Sequence, residues 1–297
     1  MVSPTILTSS RWNEVGVVSI AVVTDSTADF PGDAQERLGI VVVPLSVTWD
    51  GDTFRDKLDL STSDFYAMLR QRDSLPKTSS PPAGLFEATY QELLGRVDHV
   101  VSVHISGKLS ATYDVARGAG ERVGGGRVTV IDSGQTTMCQ GWLAMRAAEL
   151  GASGASTEQV VGEVRAWIPR LRLYAVLDTL EYLQKGGRIG RARVLMGSLL
   201  NIKPLLTIRD GEAHPVERVR GRSTAMRRLV DVLASQGPIA RAGILHGATP
   251  EALNELEPLM AERLPGQTFE RAEIGSVLGT YAGPGVFGAC CLLAGDG

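Results

Sequence analysis

Three loops of this chain carry hydroxyl groups where a strand is expected to end: Thr24-Asp25-Ser26-Thr27, Ser106-Gly107-Lys108-Leu109-Ser110 and Asp132-Ser133. A fourth hydroxyl cluster, Thr78-Ser79-Ser80, stands before an expected helix, with Ser80 at the N-cap and Pro81 in the first turn. Helix starts expose unpaired N–H groups and a partial positive charge. Serine and threonine hydroxyls beside them make a compact anion site without a lysine. The group such a site takes is a carboxylate or a phosphate. Any one of these loops reads first as a helix cap; four on one side of a sheet point to a site. The densest basic segment is Gly186-Gly187-Arg188-Ile189-Gly190-Arg191-Ala192-Arg193. A planar guanidinium there could face the same anion, or carry charge at a helix C-terminus.

Other chemistries lack their residues. No Gly-x-x-x-x-Gly-Lys-[Ser/Thr] phosphate loop and no Gly-x-Ser-x-Gly nucleophile elbow occurs. Cys139, Cys290 and Cys291 have no metal-ligand spacing, and His99, His104, His214 and His246 are scattered, so no metal site is expected. His104 and His246 read as hydrogen-bonded structural residues. Asp25 and Asp132 each follow a strand and precede a helix, where capping is the expected role.

The elements that must position these groups alternate. Val17–Val23, Ile40–Val43, His99–Ile105 and Val128–Ile131 read as short β-branched strands. Between them come helices with caps at Ser61 and Ser156, the latter in a capping box with Gln159. Strand, loop and helix recur, which argues a parallel, doubly wound α/β unit. Near Pro169 the pattern changes. Pro204–Ile208 and Ala213–Val219 flank the hairpin signal Asp210-Gly211, and helices and further strands follow. The expected fold class is therefore α/β in two domains. Residues 17–169 form a three-layer, Rossmann-like parallel domain, and residues 170–297 an α/β domain with a mixed sheet. Residues 1–16 read as a flexible tail, and the ligand cleft is expected between the domains.

The chain has 297 residues, 43% hydrophobic and 21% charged, with 30 Lys plus Arg against 33 Asp plus Glu. That is an ordinary globular mixture. Its net charge of −3 argues against a general grip on nucleic acid. No apolar run is long enough for a membrane span. Three sparse cysteines suggest reduced thiols and a cytoplasmic location.

Several segments together resemble the bacterial DegV family. They are Val23-Thr24-Asp25-Ser26-Thr27-Ala28-Asp29, Val43-Pro44-Leu45, Pro76-Lys77-Thr78-Ser79, Leu109-Ser110-Ala111-Thr112-Tyr113 and Val130-Ile131-Asp132-Ser133. Leu183-Gln184-Lys185-Gly186-Gly187-Arg188-Ile189, Ile202-Lys203-Pro204 and Gly283-Pro284-Gly285 continue the series, in the family's order, across residues 18–293. The resemblance implies a two-domain protein that buries one long-chain fatty acid. Such a protein is similar to the lipid-binding subunit of fatty acid kinase. That subunit is not itself the catalyst. It presents the carboxylate to a separate ATP-dependent kinase subunit, and the acyl phosphate formed feeds phospholipid synthesis. No cofactor is implied beyond the bound fatty acid. By position, Thr78, Ser79, Ser110 and Arg188 match the residues around the carboxylate. Gly283 belongs to the family's His-x-Gly-Pro-Gly segment, in which Tyr281 stands where the family commonly has His, so both are expected near the head group. A tyrosine hydroxyl can donate one hydrogen bond but has no ring nitrogen to accept a proton, so binding should survive the exchange more easily than transfer. Apart from the resemblance, two other readings compete. One is a small-anion hydrolase or phosphotransferase with Ser110 as nucleophile and a histidine nearby. The other is a nucleic-acid binder using the Arg188–Arg193 run.

Overall fold

The computed structural model describes residues 19–196 and 201–295. The expected tail, residues 1–16, lies outside the described residues. Four strands form a parallel sheet in the order β2-β1-β6-β7: β1 (Ile20–Asp25), β2 (Val41–Val43), β6 (His99–His104) and β7 (Val128–Asp132). β1 is buried along its whole length, as its continuous apolar run requires of a strand covered on both faces. Its side chains alternate between two cores. Ala21 and Val23 pack under α3 (Ala83–Leu94) and α4 (Thr112–Val123), whereas Ile20 and Val22 pack under α5 (Thr137–Ala152) and α6 (Thr157–Trp167).

The second sheet has six strands in the order β10-β9-β8-β13-β11-β12. They are β8 (Leu171–Val176), β9 (Ile202–Arg209), β10 (Glu212–Arg220), β11 (Ile239–His246), β12 (Phe269–Glu273) and β13 (Phe287–Leu293). Only β11 and β12 run parallel; the other neighbours are antiparallel, so the sheet is mixed. The hairpin signal Asp210-Gly211 does join β9 to β10, with φ of 50° and 78°. α8 (Arg222–Ala234) and α9 (Glu251–Arg263) cover one face through Met226, Leu229, Leu253 and Leu256. The fold is thus α/β with one parallel and one mixed sheet, as the sequence suggests.

α5 sits between the two sheets and is buried almost all round. Trp142 donates Nε1–H to Glu270 of β12 at 2.9 Å, and Cys290 of β13 donates its Sγ–H to Met138 Sδ at 3.6 Å. Gly243 of β11 is glycine because a Cβ there would collide with Met138 Sδ. One core therefore runs without a break from Ile20 to Leu292.

The structure corrects two local expectations. A three-stranded antiparallel sheet, β4-β3-β5, was not anticipated: β3 (Ser46–Trp49), β4 (Asp52–Arg55) and β5 (Lys77–Ser79). Because β5 pairs with β3, α3 begins later than its cap signal suggests. Its N-cap is Pro82, not Ser80, and no side chain caps it. A short helix, α10 (Ser276–Ala282), also had no sequence signal strong enough to read. Among the described residues no helix is long and apolar enough to cross a membrane.

Candidate functional site

Between the sheets lies a cavity of about 140 Å³. Leu173 and Ala175 of β8 and Leu177 just after it, with Leu206 and Ile208 of β9, supply one wall. Ile274 closes another side with Val277 and Leu278 of α10. Space exists because small residues meet on the sheet: Ala175 pairs with Gly288, which also lines the cavity. A Cβ on Gly288 would press on Tyr174 O. Several lining side chains, Ala175, Ile208 and Leu278 among them, are only half-buried although they sit in the packed body of the protein.

Polar groups gather at one end, each from a different element. Thr78 lies on β5, opposite Val47 of β3. Ser110 lies in the turn before α4. Arg188 follows α7 (Glu181–Lys185), and Tyr281 lies on α10. All four line the cavity. Thr78 Oγ1 and Tyr281 Oη share a hydrogen bond of 2.5 Å, so one proton of the pair is left for a ligand. Ser110 Oγ accepts Thr112 N–H at 3.2 Å and lies 2.8 Å from Thr112 Oγ1 and 3.3 Å from Ser80 Oγ. Accepting an amide leaves its own O–H free to donate. Arg188 donates Nε–H to Leu109 O at 3.3 Å and Nη1–H to Gly186 O at 2.9 Å. Its guanidinium stacks 5.0 Å from the Tyr281 ring centre. The Gly186-Gly187 pair permits this approach, since a Cβ on Gly186 would strike the Tyr281 ring.

Ser79 points elsewhere. Strand alternation sends it away from Thr78; it is exposed and does not line the cavity. Gly283 does not line it either. It ends α10 at φ 75°, packed so tightly on the Tyr182 ring that no side chain fits. Its contribution is to turn the chain so that Tyr281 faces inward.

Only two of the four hydroxyl loops reach the cavity. The Thr24–Thr27 loop is wholly buried and consumed by the fold: Thr24 Oγ1 donates to Val103 O at 2.7 Å, and Thr27 Oγ1 lies within reach of Asp25 and of Gln140 at 2.9 Å. Asp132 accepts N–H from Gly107 and Gly134, so it stabilises turns and caps no helix. His104 is structural as anticipated. Its Nδ1 faces Asp25 Oδ2 at 2.9 Å and its Nε2 faces Ser102 Oγ at 2.7 Å. This is the arrangement of a hydrolytic triad, but all three residues are fully buried and no substrate can reach Ser102. No histidine lines the cavity, so Ser110 has hydroxyls rather than a base beside it. That removes the geometry the hydrolase reading needs.

Two cavity residues went unread in the sequence. Thr136 is buried with no partner for Oγ1 among the described residues, and Thr137 holds φ 51°, rare for a β-branched residue. Asp29 secures Thr137, accepting its Oγ1–H at 2.6 Å. Nothing in the local pattern distinguishes these threonines from ordinary helix-start residues.

Comparison with known proteins agrees with this geometry. A relative from Caldanaerobacter subterraneus subsp. tengcongensis, a DegV domain-containing protein, is 37% identical over 272 residues, 91% of this chain and 97% of its own. The structure of a DegV family protein from Thermus thermophilus, described by its fatty acid binding, superposes with a TM-score of 0.87 at 35% identity, covering 93% of this chain and all of that one. DegV from Bacillus subtilis, described as a fatty acid binding protein, superposes at 0.84, also at 35% identity, covering 93% of this chain and 99% of its own. The sequence profile described as "Uncharacterised protein, DegV family" matches residues 19–293, which takes in both sheets and every residue of the polar end of the cavity, and the chain belongs to that family.

Proposed function

We propose that this chain buries one long-chain fatty acid between its two halves, residues 17–169 and 170–297, and presents the carboxylate to a separate ATP-dependent kinase subunit. The observation that carries the reading is a cavity mostly apolar along its walls, with Thr78, Ser110, Tyr281 and Arg188 gathered at one end. An acyl chain matches that polarity. Burying a methylene contributes about 0.8 kcal/mol, so roughly 14 of them favour binding by on the order of 10 kcal/mol before association costs. The tail supplies affinity; the hydroxyls and Arg188 fix the head. The similar proteins from Thermus thermophilus and Bacillus subtilis, both described as binding fatty acids, support the same reading. In the kinase step a carboxylate oxygen would attack the terminal phosphorus of ATP, ADP would leave, and an acyl phosphate would form. Arg188 is exposed and suited to the phosphoryl side. Ser79, exposed on β5, would then meet the partner rather than the carboxylate.

Organic extraction of the purified protein followed by mass spectrometry tests the first half. One acyl chain per protein is expected; repeated preparations that carry none and bind none added back end the proposal. Ser110→Ala should weaken fatty acid retention about tenfold, the value of one hydrogen bond to a charged group, with little loss of fold. Wild-type occupancy in that variant would reduce Ser110 to a cap for Thr112. Arg188→Ala should lower acyl-phosphate formation with a cognate kinase by about tenfold or more and leave the melting temperature nearly unchanged. Unaltered product formation would take Arg188 out of the site.

A further inference from the structure

A second cleft opens where β8 begins and β9 ends. It shares only Thr207 and Ile208 with the acyl cavity and holds about 670 Å³. Its lining is about half polar and half apolar. Tyr174 pairs with Thr207 across β8 and β9. Arg172 and Arg209 lie two residues beyond that pair, one on each strand, and both line the cleft. Among the described residues neither guanidinium has a carboxylate partner. Arg172 spends Nη1 on Pro169 O (2.7 Å) and Leu171 O (2.9 Å), and among the described residues the Arg209 guanidinium makes no hydrogen bond. Burial raises the pKa of the Tyr174 hydroxyl, and the charges of Arg172 and Arg209 oppose that rise only in part.

The other side of the cleft carries an unused group. Gln135 is only 6% exposed, and its Oε1 is buried without a partner. Its backbone is fixed, since Gln135 N donates to Ser133 Oγ at 3.1 Å and its carbonyl accepts Ser106 N–H at 2.9 Å. A buried amide held in place and left unbonded is costly unless a ligand completes it. The other charges of the lining are mostly spent. Asp132 takes the amides of Gly107 and Gly134, and Lys108 faces Glu212 at 3.3 Å. Asp210 alone among the lining acids has no partner among the described residues.

We propose that this cleft is a second ligand site, taking the phosphate monoester of a small molecule or lipid head group between Arg172 and Arg209, with Gln135 bonding polar atoms beside it. Two guanidiniums lining one cleft match a group carrying about two negative charges, as a phosphate monoester does near pH 7 and a carboxylate does not. The site is independent of the acyl cavity, so neither proposal stands on the other.

Calorimetric titration with inorganic phosphate, with glycerol 3-phosphate and with vesicles containing phosphatidic acid tests it. Saturable binding that weakens with salt is expected for at least one probe. Binding of the soluble phosphates identifies a free metabolite; binding of the vesicles alone identifies a lipid head group. Arg209→Gln, which removes no bond within the protein, should weaken the interaction about tenfold or more. Gln135→Leu should weaken glycerol 3-phosphate more than inorganic phosphate. Extracted fatty acid should stay at the wild-type level in both variants. Absence of saturable binding by all three probes to roughly 10 mM, or equal binding by Arg209→Gln, would overturn the proposal.

Discussion

Replacing Ala175 with phenylalanine is expected to empty the acyl cavity while leaving the protein folded. Ala175 sits mid-strand on β8 between Leu206 and Gly288, and its methyl group faces open cavity rather than packed neighbours. A ring built there occupies space that the acyl chain would take. Excluding only four methylenes removes about 3 kcal/mol, so retention should fall on the order of 100-fold. Ordinary core alanines respond differently, since overpacking costs roughly 1–3 kcal/mol of stability. Here the added ring has a void to fill, so the melting temperature of the ligand-free protein should hold or rise. Native mass spectrometry and thermal unfolding of delipidated protein measure the two effects. Full acyl occupancy in the variant would mean that the chain does not run past β8.

Asp25→Ala should be among the most destabilising single changes. The carboxylate is fully buried and receives the His104 ring, Thr27 N–H at 3.0 Å and Ile105 N–H at 3.0 Å. Removing it strands three polar groups in a dry interior, at a cost of about 3–5 kcal/mol against a typical total of roughly 5–15. Urea titration should show a lower midpoint with little change in slope. A loss below about 1 kcal/mol would demote the network to incidental. Burial alone would raise the Asp25 pKa. The His104 hydrogen bond and charge, with Thr27 and Ile105, outweigh it and hold the pKa below the ordinary value. A carboxyl depressed on folding stabilises the native state above its unfolded pKa of about 3.9 and loses that contribution as pH falls through the lower, folded value. Acid unfolding of the wild type should therefore contain an Asp25 component below about pH 4, and Asp25→Asn should remove it.

The parallel sheet was legible because its strands are continuous apolar runs between capped helices. Ser61 accepts Asp64 N–H, and Ser156 with Gln159 closes a full capping box, as their spacing indicates. The small sheet was not legible. Its β3–β4 hairpin turns at Asp50-Gly51, both at positive φ, but the flanking strands have four residues each and lack a strong apolar run. β5 exists only through pairing with β3, a contact about thirty residues away in sequence. That pairing defeated the local signal at Ser80. The polar end of the cavity divides in the same way. Thr78, Ser110, Arg188 and Tyr281 could be found by matching motifs, while Thr136 and Thr137 required coordinates. The apolar walls looked like any other core in the sequence, because side chains facing a void and side chains facing each other are chosen from the same residues.

The burial of α5 between the sheets bears on how such a chain can change over evolution. Met138 and Trp142 are fitted to Gly243, Glu270 and Cys290 of β11, β12 and β13 as well as to the core they share with the parallel sheet. A chimera joining the first half of this chain to the second half of a distant cousin would set a methionine against whatever replaces Gly243. The halves are therefore not interchangeable parts. Substitutions that retune the ligand must arise within a matched pair, which favours drift at the cavity wall over recombination between lineages.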